Sequence, residues 1–128
     1  MIDFFCSGVY YGYDGNKRQS LIQYFYSLNT LIMKTEICNS IRNQNLIEFS
    51  YDGGNRIVEP HCYGITTAGN EGLRAYQVEG FSSSGKMGWK MFDLSQAKNL
   101  IILDTKFLSP RTGYKKGDKG MSRIFEEI

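Results

Sequence analysis

The spacing of apolar residues along the chain predicts one short helix followed by a series of strands. Ile37 and Ile41 recur at helical spacing with polar residues between them, and Thr35 is a suitable N-cap. A helix is therefore predicted over 35–43. After this segment the apolar runs become short and alternate with glycine-rich clusters, a pattern typical of strands joined by tight turns.

The glycine-rich clusters divide the middle of the chain into five predicted strands. The clusters are DGGN at 52–55, AGNEG at 68–72 and SSSGKMG at 82–88. The strands are predicted over 46–51, 56–66, 73–81, 88–92 and 99–103, and the DLSQAK stretch between the last two fits a helical turn. The fifth run, NLIIL, has the composition of a strand that is buried on both faces.

Pro60 and the order of the elements define the expected fold. A proline cannot donate to a strand ladder, so the second strand is expected to lie at an edge, or to be bulged or bent, at Pro60. One helix followed by five short strands is the element order of small Sm-like and SH3-like barrels. The predicted fold class is therefore mainly β, within α+β: a five-stranded Sm-like or SH3-like barrel preceded by a short helix.

One barrel domain is expected over 33–104, with a different segment on each side of it. A chain of 128 residues normally forms a single domain. Residues 1–32 carry only four charges and no long apolar periodicity. Two interpretations stay open for them: an upstream in-frame extension with no fold of its own, or an arm packed on the domain.

The C-terminal segment, 105–128, differs from the rest of the chain in its charge. The net charge of +2 is too close to zero to indicate a polyanion partner, but six basic residues and only one acidic residue, Asp118, lie between Lys106 and Arg123. Two interpretations are equally open. The segment is a flexible phosphate-contacting arm in which Tyr114 stacks on a base, or a solvated tail followed by an amphipathic turn.

The composition excludes several classes of protein. A hydrophobic share of 41% and a charged share of 22% exclude a disordered chain, and 14% aromatic residues favour strands. Three cysteines without a CxxC pair indicate neither a disulfide framework nor a zinc site, so reduced thiols, no metal and no cofactor are expected. No apolar run reaches the roughly 18 residues of a membrane span, and the expected location is the cytoplasm.

No catalytic grouping of side chains stands out in the sequence. His61 is the only histidine, and its simplest partner would be the neighbouring Cys62. Adjacent residues on a strand point to opposite faces of the sheet, which argues against that pair. The chain is therefore expected not to be an enzyme, and an enzyme that uses His61 and Cys62 is the weakest alternative.

Cationic residues lie on separate predicted strands and are the main candidates for a binding site. In a closed sheet, residues distant in sequence can converge on one groove, and cations spread in this way suit a phosphodiester chain. Tyr76 would add a stacking face or a hydroxyl. Ordinary surface charge is the alternative. The candidate ligand-binding residues are Arg56, His61, Arg74, Tyr76 and Lys90.

The run RIVEPHCYGI, followed by LRAYQVEG and WKMFDLSQAKNL, resembles the WYL domain, a small Sm-like barrel of bacterial regulators. The resemblance covers about 34–103. The R-x-V-x-P-h segment of the family reads Arg56, Val58, Pro60, His61 here. The tripeptide that names the family falls on Ala75-Tyr76-Gln77, where only the tyrosine matches, and the R-x-F-x-L segment has Lys90 in place of arginine. The arginine that usually follows is replaced by Gln96 or lost.

The resemblance implies a sensor of a negatively charged ligand, such as single-stranded nucleic acid or a nucleotide. Arg56, His61 and Lys90 keep the charge that this role requires, and Arg74 supplies charge near the altered tripeptide. Many members carry a winged helix-turn-helix ahead of the WYL domain and regulate transcription. Such a domain does not fit in residues 1–32, so the resemblance implies a detached ligand sensor, an accessory of a defence or DNA-repair system, or a fragment of a longer regulator.

The sequence thus predicts a non-enzymatic binding module for single-stranded nucleic acid or a nucleotide-like anion. The alternative is a protein-interaction module, in which an exposed strand edge or the aromatic N-terminal arm docks a partner and the basic residues are incidental. Whether the domain forms a homodimer is left open.

Overall fold

The computed structural model describes residues 21–128, without the side chains of Ile22, Gln23 and Tyr26. Within this range a single helix, α1, is followed by six strands, and a one-turn 3-10 helix at Leu94–Gln96 joins the fourth strand to the fifth. The elements are α1 (Leu21–Asn43), β1 (Asn45–Tyr51), β2 (Gly54–Thr66), β3 (Glu71–Gly80), β4 (Gly88–Asp93), β5 (Lys98–Lys106) and β6 (Met121–Glu127).

The six strands form one antiparallel sheet in the order β4-β3-β2-β1-β5, with β6 paired to β2. Strand β2 is long enough to take two partners along one edge. Its first half pairs with β1, where Val58 lies opposite Ile47, and its second half pairs with β6, where Gly64 lies opposite Ile124. Between these halves the register with β3 shifts at Pro60, which confirms the predicted irregularity there.

The apolar core lies between α1 and one side of the sheet, called here the helix face. Phe49 and Phe92 meet edge to face with their ring centroids 5.0 Å apart, and Tyr63 is fully buried beside them. Ile37 and Ile41 of α1 pack against this cluster. The opposite side of the sheet, called here the loop face, is covered by residues 107–120 that connect β5 to β6.

The mainly β class and the preceding helix are confirmed, but the helix is longer than predicted. The chain is already helical at Leu21, the first described residue, rather than from near Thr35. The residues from Leu21 to Met33 include no charged side chain, so the contrast between polar and apolar positions that marks a helix in a sequence is weak there. Residues 1–20, the remainder of the predicted N-terminal segment, lie outside the described range.

Within residues 21–128 the sheet is not closed into a barrel, and it has six strands rather than the predicted five. The sixth strand, β6, forms from the C-terminal segment that was expected to be an arm or a tail. The prediction that β5 is buried on both faces is also wrong. Among the strands that the structure describes, β5 pairs only with β1, and Ile101 and Ile102 are 51% and 38% exposed. The helical turn predicted between β4 and β5 is confirmed by the 3-10 helix.

The cysteines only partly match the prediction of reduced thiols. Cys62 is a free and buried thiol, whereas Cys38 of α1 takes part in a disulfide. Within residues 21–128, no helix combines the length and the apolar character that crossing a membrane requires.

Candidate functional site

The five predicted binding residues lie on both faces of the sheet. Lys90 pairs with Ala75, and Arg74 pairs with Met91, in the register between β3 and β4. Since paired residues share a face and neighbours alternate, Lys90 and Arg74 point to opposite sides. Arg56 lies on the helix face with Lys90, whereas His61, Arg74 and Tyr76 lie on the loop face. The prediction of a single groove that contains all five residues is therefore wrong.

Arg56 on the helix face is buried, at 3% exposure, and packs against aromatic rings. Its guanidinium lies 5.4 Å from the ring of Tyr51 and 5.1 Å from that of Phe81, and Nη1 donates to Gln77 Oε1 over 3.2 Å. Its Nε is buried, and among the described residues it has no hydrogen-bond partner. The residue thus helps to hold the turn after β3 on the sheet.

Lys90 lies beside Arg56 at the edge of the same face. Its Nζ donates to Ser82 Oγ over 2.6 Å. Burial lowers the pKa of Lys90, and the positive charge of Arg56 lowers it further. Among residues 21–128, neither cation forms an ion pair with a carboxylate. The two therefore form a small positive region that is separate from the loop face.

His61 is fully buried at the centre of the loop face. Its Nδ1 lies 2.8 Å from the carbonyl oxygen of Glu59, and its Nε2 lies 3.0 Å from the backbone nitrogen of Arg111. Because the carbonyl can only accept and the amide can only donate, the ring is neutral, with its proton on Nδ1. Burial lowers the pKa of His61, and the nearby Arg111 charge acts in the same direction, while Glu59 opposes both.

Aromatic rings surround His61 and form the floor of a groove. The ring centroid of His61 lies 4.7 Å from that of Trp89, 5.2 Å from Phe107 and 5.1 Å from Tyr114. Trp89 and Tyr114 lie 6.1 Å apart with an angle of 26° between their planes, and Tyr76 meets Trp89 edge to face. His61 and Tyr76 thus support the half-buried rings of Trp89 and Tyr114 from below.

Two ion pairs fasten residues 107–120 to the sheet. Arg111 donates Nε and Nη2 to the buried carboxylate of Glu59, at 2.6 and 3.1 Å, and its guanidinium lies 4.5 Å from the ring centroid of Tyr76. Arg74 donates in the same way to Asp118, at 2.7 and 3.3 Å. Hydrogen bonding to Arg74 lowers the pKa of Asp118, although partial burial opposes it. These bidentate contacts fix the segment in one position.

The segment and the sheet line a cavity of about 410 Å³ that is open to solvent, called here the loop groove. Its chemistry is aromatic and positive, because four cations face a single carboxylate around the rings of Trp89 and Tyr114. Lys115, Lys116 and Lys119 are exposed, whereas Arg74 is paired with Asp118. The lining residues are Arg74, Trp89, Gly113, Tyr114, Lys115, Lys116, Gly117, Asp118 and Lys119.

The sequence indicated half of this groove and missed the rest. Tyr114 and the neighbouring lysines were predicted to form either a phosphate-contacting arm or a solvated tail, and the structure places them in the groove. Trp89, which supplies the other ring, carried no signal because its proximity to Tyr114 depends on how the segment folds back onto the sheet. The ion pair between Glu59 and Arg111, 52 residues apart, was equally hidden.

His61 and Cys62 were expected on opposite faces but both lie on the loop face, because the register shift between Pro60 and Cys62 interrupts the alternation of side chains along β2. Burial raises the pKa of the Cys62 thiol to about 12, so the thiol is protonated at neutral pH. Both ring nitrogens of His61 are engaged by the backbone. Among the described residues, no group of histidine, cysteine and carboxylate side chains could hold a metal ion.

Comparisons with protein-family models, with curated proteins and with solved structures found no match for this chain. The resemblance to the WYL domain therefore stays a prediction from the sequence.

Proposed function

We propose that this chain binds single-stranded nucleic acid, or a nucleotide-like anion, through the loop groove. One observation carries the proposal: two nearly parallel aromatic rings, Trp89 and Tyr114, share a cavity with three exposed lysines. Aromatic rings stack on the faces of unpaired bases, and lysines neutralise the phosphates between them. The groove offers both kinds of contact within one concave surface.

The proposed ligand is single-stranded because of the contacts that the groove can make. Trp89 and Tyr114 present ring surfaces, and a base can stack on these only when it is free of its own neighbours. A cavity of about 410 Å³ suits a nucleotide rather than a whole duplex. The proposal includes no catalytic step, and it places the protein in the cytoplasm as a ligand-binding regulatory module of the WYL-like type.

The carboxylate of Asp118 lies within the groove and opposes an anionic ligand. Its bidentate contact with Arg74 offsets this charge locally, so the free positive charge of the groove comes from Lys115, Lys116 and Lys119. Phosphate contacts are therefore assigned to the lysines. Arg74 is assigned the role of holding the segment in place rather than that of a primary ligand contact.

Trp89 provides a direct test, because it is the only tryptophan in the chain. A titration with a single-stranded oligonucleotide of about 12 nucleotides should quench its fluorescence, since a stacked base contacts the ring. The affinity should fall as the salt concentration rises. Binding measured by anisotropy without any change in the Trp89 emission would contradict the assignment of the site.

A matched pair of variants separates the groove from general positive charge. The double variant Lys115→Met, Lys116→Met should weaken binding and make the dependence of log affinity on log salt shallower by up to about 0.7 per lost contact. The control, Lys98→Met with Lys106→Met, removes the same charge from exposed positions on β5. Equal losses in both double variants would mean that the groove has no special role.

Lys90 distinguishes the loop groove from the site that the sequence predicted. It lies on the opposite face, so Lys90→Met should leave oligonucleotide affinity within about twofold of the original value, as expected for a charge that is distant from the groove. A loss of affinity as large as that of the Lys115, Lys116 double variant would indicate that the binding site lies on the helix face.

A protein-interaction module is the second candidate function. The observation that favours it is the exposed apolar surface of the molecule, including Ile101 and Ile102 on the edge strand β5. A complex with a protein that is insensitive to salt, together with no retention on immobilised oligonucleotide, would support this candidate over the first.

A further inference from the structure

The first half of α1 carries a row of exposed apolar side chains. Leu21 is 74% exposed, Phe25 57%, Leu28 37% and Ile32 47%, and Tyr24 beside them is 57% exposed. Monomeric proteins rarely leave so many large apolar side chains together in water. The second half of α1 is different, because Ile37, Cys38 and Ile41 are buried against the sheet.

The spacing of this row identifies the kind of surface that fits it. Leu21, Phe25, Leu28 and Ile32 follow one another at intervals of four, three and four residues, which is the repeat of a coiled-coil seam. From Leu21 to Met33 the helix has no charged residue, so a second helix laid along the seam meets no uncompensated charge. The row therefore fits another helix better than a sheet or an extended peptide.

We infer that the first half of α1 pairs with the same segment of a second copy of this chain, in an antiparallel arrangement. In that register Leu21 lies opposite Ile32 of the partner subunit, and Phe25 lies opposite Leu28 of the partner subunit. Each contact then joins two large apolar side chains, and the surface is complementary to itself, as a twofold interface requires. The inference is independent of the loop groove.

The position of the seam in the molecule favours the antiparallel direction. The helix from Leu31 onward is packed on the sheet, so a parallel pair would bring both sheets to the same end of the helices. The antiparallel pair places them at opposite ends, separated by the part of α1 from Leu21 to Thr30, which is about 15 Å long.

The area is sufficient for a weak dimer. Five side chains that each expose about half of roughly 200 Å² could bury on the order of 500 Å² per protomer. The total of about 1,000 Å² is at the lower end of specific protein interfaces. The dimer is therefore expected to form reversibly and to depend on protein concentration.

Sedimentation velocity of the full chain from about 5 to about 500 µM tests this inference. The weight-average mass should rise from the monomer toward twice that value. Phe25→Glu should keep the protein monomeric throughout, whereas Asn29→Glu, which adds the same charge to an exposed position outside the seam, should dimerise like the original chain. Circular dichroism should show the same fold in all three proteins.

A rescue variant tests the direction of the pairing. In Phe25→Glu combined with Leu28→Lys, the new carboxylate faces the new ammonium group of the partner subunit only in the antiparallel register, so dimerisation should return. A chain that stays monomeric at every concentration, or a dimer that Phe25→Glu does not weaken, would overturn the inference. Failure of the rescue alone would overturn the antiparallel register.

Discussion

The two faces of the sheet are stabilised by different interactions. On the helix face, Phe49, Tyr63 and Phe92 pack with α1 in a core from which water is excluded. On the loop face, the contacts join aromatic rings to one another and charges to charges, as in the pair between Glu59 and Arg111. The stabilisation that comes from apolar burial depends little on pH or salt concentration, whereas the stabilisation that comes from ion pairs depends on both.

The two faces of the sheet therefore have different structural roles. The helix face carries the apolar core, and the loop face holds residues 107–120 in position through ring contacts and ion pairs. A surface held by charges and rings keeps polar groups available to the proposed ligand, which an apolar core cannot do. Variants on the two faces should therefore behave differently, and the predictions below are arranged from the largest expected effect to the smallest.

The largest effect is expected from Phe49→Ala on the helix face. Phe49 is fully buried and contacts Phe92, so the substitution removes apolar contacts and leaves a cavity. The free energy of unfolding should fall by about 3–5 kcal/mol in urea denaturation. Leu108→Ala is the control, because Leu108 is 98% exposed and its loss should change little. A cost below about 1 kcal/mol for Phe49→Ala would contradict the assignment of the core.

A smaller effect is expected from Arg111→Met on the loop face. The variant leaves the carboxylate of Glu59 buried without its partner, which should cost about 1–2 kcal/mol, with solvent at the exposed Arg111 reducing the effect. The more specific result is local. The segment that carries Tyr114 should loosen, so amide hydrogen exchange should rise over 107–120 and stay unchanged in α1. An equal increase in amide hydrogen exchange over the whole chain would contradict the conclusion that the two faces are stabilised separately.

The predictions from the sequence succeeded where local chemistry decides the structure. The first four strands lie within about two residues of their predicted limits, because glycine turns and alternating apolar residues mark them: β4 was predicted over 88–92 and is Gly88–Asp93. The strand β6 was missed because its partner, the second half of β2, is about 60 residues away. Pairing over such a distance leaves no local pattern in the sequence.

The side chains of the candidate site could also be predicted only where their positions depend on nearby residues. Arg74 and Tyr76 share a face because they are two residues apart on one strand, and this could be predicted. Whether Lys90 lies on the same face as these two residues depends on the register between β3 and β4. A shift of one residue would move the side chain of Lys90 to the other face of the sheet. The sequence shows which cationic residues are present, but only the register between the strands shows which of them lie on the same face of the sheet.

Between about pH 6.5 and about pH 5, the pH dependence of stability should arise mainly from His61. Its pKa in the folded protein is lowered, so the fold favours the neutral ring, and its contribution is fully present above the ordinary value of about 6.5. As the pH falls below that value, the unfolded chain takes up a proton that the folded chain resists. Stability should then decrease by up to about 1.4 kcal/mol per pH unit, until the folded ring is also protonated.

His61→Gln provides the control for this prediction. Glutamine can accept the hydrogen bond from the Arg111 amide but does not titrate, so the variant should be less stable at pH 8 and should lose most of the slope between pH 6.5 and pH 5. Urea denaturation at a series of pH values measures both quantities. An unchanged slope in His61→Gln would show that other groups cause the pH dependence.

The smallest effect on stability is expected from Asp118→Asn, where folding and binding should respond in opposite directions. The pair with Arg74 is partly exposed, so the free energy of unfolding should fall by only about 0.5–1 kcal/mol. The same substitution removes the one carboxylate that lines the loop groove, so affinity for a single-stranded oligonucleotide should rise while the salt dependence stays as steep. Denaturation and Trp89 fluorescence measure the two effects in one protein. A variant that lost both stability and affinity would show that the Arg74 contact positions the ligand-binding lysines, and that the charge of Asp118 itself matters little to the ligand.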